Sequence, residues 1–282
     1  MSTRPFFSIV IPTLNEEKYL PHLLKDLTEQ TFTDFEVIHV DGSSDDNTQK
    51  NAVAFSKGIK LKQLITPKRN VSHQRNLGCK SAKGSWIIFM DADNRLSQYF
   101  LEDLVSQLSV TKQCRVFTTW IEPDQKTHAT ETIVRAVNYI FELYRVLGKP
   151  VSFGALIGVH SEVIKSIQFD EQQKILEDSI FVQEAQRQGF PFVIFRHPKY
   201  VYSLRRLRKE GTLKLATQAA LMNMRYIQGK TFEQQDFDYV MKGGSYYDTQ
   251  PGPLLLSLHK LIRSASQRQL AQAKRLLESI LD

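Results

Sequence analysis

Between Phe6 and Asp93 the chain alternates short β-rich runs with helix-forming stretches. Phe6–Ile11, Phe35–Val40, Lys60–Ile65 and Trp86–Met90 are rich in β-branched and aromatic residues, while Glu16–Gln30, Asp46–Ser56 and Ser72–Ala82 read as helices. Such an alternation calls for a parallel sheet with helices on both faces, so the predicted class is α/β. In open sheets of this class ligands bind beyond the carboxyl ends of the strands. Three polar clusters stand at those ends: Pro12-Thr13-Leu14-Asn15-Glu16, Asp41-Gly42-Ser43-Ser44 and Asp91-Ala92-Asp93-Asn94. They converge on one edge of the predicted sheet, which makes that edge the candidate site.

At 282 residues the chain can bury a substantial core. Its 41% hydrophobic and 24% charged residues are those of a globular chain rather than a fibrous or disordered one. Cys79 and Cys114 lie far apart without metal-ligand spacing, which excludes a disulfide framework and makes a reducing, cytoplasmic compartment the default. Met1–Phe7 leads straight into a strand-like run, so no secretory signal is expected. The longest apolar candidate, Ile133–Leu147, is interrupted by Arg135, Glu142 and Arg145 and falls short of the roughly 20 apolar residues that span a bilayer.

Lys and Arg outnumber Asp and Glu by 37 to 30, for a net charge of +7. The excess gathers in Arg196, Lys199, Arg205, Arg206, Arg208, Lys209 and Lys214, opposed by Glu210 alone. A tract of this kind draws phosphate, nucleic acid or an anionic membrane surface, and charge does not choose among them. It carries no recognition motif, so no nucleic-acid partner is expected.

Beyond Arg95 the pattern is less regular. Thr130–Leu147 is predicted as a helix with Arg135, Asn138, Glu142 and Arg145 in one polar stripe and a wide apolar face. The core is the expected partner of that face; an acceptor groove or a membrane surface would suit it too. Ala155–Val159 and Phe192–Phe195 read as strands, and Leu176–Gln188 as a helix closed by Gly189. From Thr212 helices follow, interrupted near Gly243-Gly244 and Pro251-Gly252-Pro253. The last stretch, Leu254–Leu281, is amphipathic and suits packing on the domain, peripheral membrane contact or self-association. The organisation expected is a domain over 1–211, with halves 1–95 and 96–211, and a helical extension over 212–282.

The chemistry concentrates in few residues. Asp91 and Asp93, one residue apart directly after a buried run, can hold a hard cation such as Mg²⁺ or Mn²⁺, which favours oxygen ligands and is often shared with substrate phosphates. Asp41 suits either a turn or a hydrogen bond to a base edge or ribose hydroxyl. Arg75 suits a helix-surface ion pair or an anion contact. Glu177-Asp178 opens a predicted helix, where acids also complement the dipole. His197 reads as a loop histidine, with metal ligation as the other role.

Taken together these strings resemble glycosyltransferase family 2. Phe7-Ser8-Ile9-Val10-Ile11-Pro12-Thr13-Leu14-Asn15-Glu16-Glu17 is similar to the opening of those enzymes, and Asp41-Gly42-Ser43-Ser44-Asp45-Asp46-Asn47-Thr48 to their second block. Arg75-Asn76-Leu77-Gly78 and the run Ala82–Asp93 resemble the third. The resemblance implies the GT-A fold, a mostly parallel sheet flanked by helices, and inverting transfer of a sugar from a nucleoside-diphosphate donor. It implies that Pro12, Thr13, Asn15 and Glu16 line the nucleotide pocket, that Asp41 faces the base and that Arg75 lies beside the nucleotide. Asp91 and Asp93 would meet ribose, metal and diphosphate, with Asp93 the direct ligand of Mn²⁺ or Mg²⁺. Glu177-Asp178 resembles the family's acidic pair, with Asp178 as base and Glu177 assisting. Ser203–Gly211 resembles an Arg-rich segment that closes over the diphosphate, which assigns phosphate contact to Arg205 or Arg206.

Uridine diphosphate is the leaving group expected, with guanosine and thymidine diphosphates as alternatives. A saccharide or lipid-linked acceptor and a place at the inner face of the membrane follow from family habit. A sugar-1-phosphate nucleotidyltransferase would want a glycine-rich basic loop after the first strand, and Pro12–Glu16 lacks one. A scaffold that had lost catalysis would have no need of Asp91, Asp93, Glu177 and Asp178.

Overall fold

The computed structural model describes residues 4–152, 154–173, 176–210 and 243–248. They belong to two compact units. The first holds the described residues up to Ser203 together with 243–246; the second starts at Leu204. The helices expected from Thr212 onward lie outside the described residues apart from a short 3-10 helix, Gly244–Asp248.

The first unit is built on a seven-stranded sheet. Its strands are β1 (Phe7–Thr13), β2 (Phe35–Asp41), β3 (Leu61–Ile65), β4 (Trp86–Met90), β5 (Val116–Pro123), β6 (Leu156–His160) and β7 (Phe192–Tyr202), in the order β3-β2-β1-β4-β6-β5-β7. All neighbours run parallel except β6, which is antiparallel to β4 and β5. Every residue of β1 and β4 is buried, as strands covered on both faces must be. The helices are α1 (Leu20–Thr28), α2 (Thr48–Val53), α3 (Val71–Ser81), α4 (Phe100–Val110), α5 (His128–Val146), α6 (Val163–Ser166) and α7 (Glu177–Arg187), with α8 (Arg205–Glu210) in the second unit. Val10, Ile38, Ile87, Phe89, Val159, Phe181 and Val182 are among the core residues that fix the sheet against its helices.

Two departures from the sequence reading have local causes. The helix expected from Glu16 begins only at Leu20. The backbone N–H groups of Asn15, Glu16 and Glu17 are taken instead by Ser44 Oγ, Thr48 Oγ1 and the Asp46 carboxylate, which pull this stretch out as a loop. Asn15 also adopts a left-handed φ of 54°, which a helix does not admit.

The second departure is α5. Two members of its polar stripe, Asn138 and Glu142, face the sheet, while Arg135 and Arg145 stay exposed. Asn138 is buried and exchanges two hydrogen bonds with the backbone of Ile121, while Glu142 accepts from Trp120 Nε1 and pairs with Arg196. The wide apolar face expected to enter the core is therefore turned outward. His197, expected in a loop, lies in β7 and pairs with Asp103 at 3.0 Å.

Candidate active site

The carboxyl ends of β1, β2 and β4 lie side by side, where strand order switches from β2 to β4 on the two sides of β1. Pro12 and Thr13 end β1, and Asp41 ends β2 opposite Thr13. The Asp41 carboxylate is fully buried and accepts four hydrogen bonds: Ser44 N and Gln49 Nε2 on Oδ1, Thr13 Oγ1 and Ser44 Oγ on Oδ2. Burial alone would raise its pKa, but the bonds from Ser44, Thr13 and Gln49 hold it below the usual carboxylate range. Thr13 Oγ1 also meets His39 Nε2 at 2.8 Å, and His39 Nδ1 meets Gln63 Nε2 at 3.2 Å. Burial pushes His39 down to about 4 against the pull of Asp41, so the imidazole is neutral. Neutral His39 donating from Nε2 completes a relay of donors that ends on Asp41. Gln74 of α3 donates to both Thr13 O and Val40 O, tying the two strand ends together.

Asn15 and Glu16 form the loop beyond β1. Asn15 Oδ1 accepts from Asp45 N, which joins this loop to the one after β2. A segment from far downstream also lies on it. Gly244 N donates to Leu14 O and Ser245 N to Asn15 O, at 2.8 and 2.9 Å. A side chain on Gly244 would collide with the Glu16 carboxylate at 2.2 Å, and Gly243 holds a φ of +75°. Gly243, whose Cβ would also meet Leu14 O at 2.8 Å, is the position that requires glycine, while a side chain at Gly244 would make the Glu16 carboxylate move aside.

Arg75 is the hub of the site. It sits on α3, which lies so close to β1 that a Cβ on Gly78 would meet Val10 at 2.3 Å. Its side chain is 2% exposed and reaches Glu177 at 3.0 Å, Asp91 at 3.5 Å and Gly154 O at 3.0 Å, over the ring of Phe169. A helix-surface ion pair is thereby excluded. Burial would push the guanidinium down, but Glu177, Asp91 and Asp178 around it hold it up. One buried cation thus joins the loop after β4 to the start of α7.

Asp178 is partly buried and accepts from Gly154 N and Ser179 N. Loss of hydration, then repulsion from Glu177, raises its pKa to about 7 in spite of Arg75 and the two backbone donors. That value suits a group that must take a proton near neutrality.

Asp91 and Asp93 are half-exposed in the loop after β4. Among the described residues no three His, Cys, Asp or Glu side chains gather into a closed metal cage. Two carboxylates fit instead a hard cation that takes one or two protein oxygens and completes its shell with substrate phosphate and water.

The sequence reading missed Tyr200. Arg95 and Val201 exchange backbone hydrogen bonds, which clamps β7 to the chain just after Asp93. The adjacent Tyr200 is 1% exposed, and its hydroxyl has no hydrogen-bond partner among the described residues. Burial, then the charges of Tyr202, Asp91, Asp93 and Asp178, raise its pKa well above the usual phenol value, so it stays a proton-bearing donor. The apolar run Tyr200-Val201-Tyr202 was the available signal, cut off from Phe192–Phe195 by Arg196, His197 and Lys199. The remaining expected residues, Arg205 and Arg206, open α8 in the second unit, where Arg205 is buried.

The sequence profile described as Glycosyl transferase family 2 matches residues 8–158, more than half of the chain. The chain belongs to glycosyltransferase family 2. Poly(ribitol-phosphate) beta-N-acetylglucosaminyltransferase TarS of Staphylococcus aureus is 37% identical over 101 residues, covering 34% of this chain and 18% of TarS. A PGL/p-HBAD biosynthesis glycosyltransferase of Mycobacterium tuberculosis is 32% identical over 151 residues, covering 51% of this chain and 55% of that one. The chain thus spans about a fifth of one relative and about half of the other.

Among solved structures, the mannosyltransferase PcManGT of Pyrobaculum calidifontis, in complex with GDP-Man and Mn²⁺, aligns with a TM-score of 0.63 at 17% identity. That alignment covers all of this chain and 82% of that one. TarS 1-349 of S. aureus with UDP-GlcNAc aligns at 0.59 and 23% identity, covering 70% and 58%. Both share the GT-A fold of this glycosyltransferase.

Proposed function

We propose that this family 2 glycosyltransferase moves a sugar from a UDP-sugar to an acceptor hydroxyl with inversion at the anomeric carbon. The observation that carries the reading is Arg75, which gathers Asp91, Glu177 and Asp178 on the edge where the donor loops end. The nucleotide lies against Pro12, Thr13, Asn15 and Glu16, and Asp41 orders those loops through its four hydrogen bonds. Asp93, with Asp91, would hold Mn²⁺ or Mg²⁺, which when bound offsets charge on the departing diphosphate. Arg205 or Arg206 contacts phosphate. Asp178 takes the acceptor proton as the acceptor oxygen bonds to the anomeric carbon. The carbon–phosphate-oxygen bond breaks on the opposite face, and its electron pair leaves with UDP. Glu177 and Arg75 hold Asp178 in place.

TarS with UDP-GlcNAc supports the uridine donor, and PcManGT with GDP-Man and Mn²⁺ supports the metal. The name of the poly(ribitol-phosphate) beta-N-acetylglucosaminyltransferase TarS supports a polyol-phosphate acceptor; a saccharide or lipid-linked acceptor at the inner face of the membrane is the wider reading. The test is calorimetric titration of UDP, GDP and TDP with and without Mn²⁺. Metal-dependent binding of UDP is expected; no binding of any of the three overturns the reading.

The pKa of Asp178 gives a second expectation. Below about 7 the carboxyl is protonated and cannot accept, so kcat/KM should fall about tenfold per pH unit there and level off above. Glu177→Gln removes the neighbouring negative charge and should move that limb toward acid. A profile flat from pH 5.5 to 9 would remove Asp178 from the base role.

A further inference from the structure

Helix α5 carries its apolar side on the outside of the first unit. Ile133, Tyr139, Ile140, Leu143, Val146 and Leu147 recur at helical spacing and are 38–71% exposed. The opposite side holds the helix down through buried Val134 and Asn138. A surface helix ordinarily does the reverse, with its polar face in water. Contiguous apolar surface of this kind marks a docking face.

Charge and aromatic placement identify what covers it. Arg135 and Arg145 stand exposed on the same helix, and Lys149 just beyond its end. Beside it, Trp120 packs edge-on to Tyr139 at 5.3 Å, with Arg196 over its ring at 5.1 Å and Lys199 at 5.8 Å. Two of the neighbouring acids are already engaged, Glu142 by Arg196 and Glu122 by Lys126 and Lys199, and Glu131 stands in the first turn, away from Ile140–Leu147. Trp, Tyr and cations behind an apolar helix face are the arrangement that settles at lipid headgroup level. A second copy docked through a twofold axis would set Arg135, Arg145 and Lys149 near their own images, whereas anionic headgroups complement them. No described helix is long and apolar enough to cross a membrane, so the contact lies in the plane of the surface.

We propose that the outer face of α5 docks on an anionic lipid bilayer. The helix follows the carboxyl end of β5, on the sheet edge that carries the candidate site, so docking brings that edge to lipid-borne acceptors. This inference goes beyond the donor reading and does not depend on it.

The test is co-sedimentation of the full chain with vesicles of phosphatidylcholine alone or mixed with phosphatidylglycerol. Wild type is compared with the double variant Ile140→Glu/Leu143→Glu, both checked by thermal melting and light scattering. Wild type is expected to sediment with the mixed vesicles, less so in high salt, and at least about tenfold more tightly than the double variant, which melts like wild type. Equal sedimentation of the two proteins, or none of wild type, overturns the proposal. A wild-type dimer that the double variant splits assigns the face to a second copy and overturns it too.

Discussion

Asp178→Asn is expected to lower the transfer rate by about a thousandfold while nucleotide affinity stays within about twofold. The substitution preserves shape and removes the property that the proposed reaction asks of this residue, the capacity to accept a proton. One of the two backbone donors now fixed on the carboxylate, Gly154 N and Ser179 N, would face an amide group. Leaving such a donor unsatisfied costs about 1–3 kcal/mol. Against this, the variant removes a poorly hydrated negative charge beside Glu177, so its melting temperature should change little. Steady-state transfer with a titration of UDP separates the two effects. Full activity in the variant would show that another group takes the proton.

Asp93→Asn is expected to act on the donor side instead. Losing one charged oxygen from a cation site removes a contact of about 1.5–3 kcal/mol, or roughly ten- to a hundredfold in the Mn²⁺-dependent affinity for UDP. Added Mn²⁺ and UDP should raise the melting temperature of wild type and leave the variant nearly unmoved, since only a ligand that binds the native state stabilises it. The corresponding change at Asp91 is less clean, because Asp91 also faces buried Arg75 at 3.5 Å. A metal-dependent shift of wild-type size in Asp93→Asn would place the cation elsewhere.

The donor half of the molecule was legible because its strands are short, buried on both faces and each ended by a polar cluster. Wherever those strands lie in a parallel sheet, the clusters meet. Arg75 was harder. Its partners Gly154 and Glu177 come from elements remote in sequence, and helical spacing does not say whether a lone arginine looks in or out. The same limit inverted α5: periodicity locates two faces, and only the bonds of Asn138 and Glu142 decide which one is inside. Tyr200 was hidden by its neighbours, since Arg196 and Lys199 made a half-exposed edge strand read as a basic surface tract. The stretch between Arg95 and Thr130, which forms α4 and β5, received no assignment for lack of any motif to anchor it.

Gly243 and Gly244 lie on Leu14 and Glu16 although more than two hundred positions separate them in the chain. The donor loop is in this sense a composite part, finished by residues outside the stretch that identifies the family. A chimera that exchanged only residues 8–158 for those of a relative would set a foreign loop against this protein's own Gly243–Gly244 segment. Transplanting donor preference between such enzymes therefore calls for the two pieces to travel as a pair.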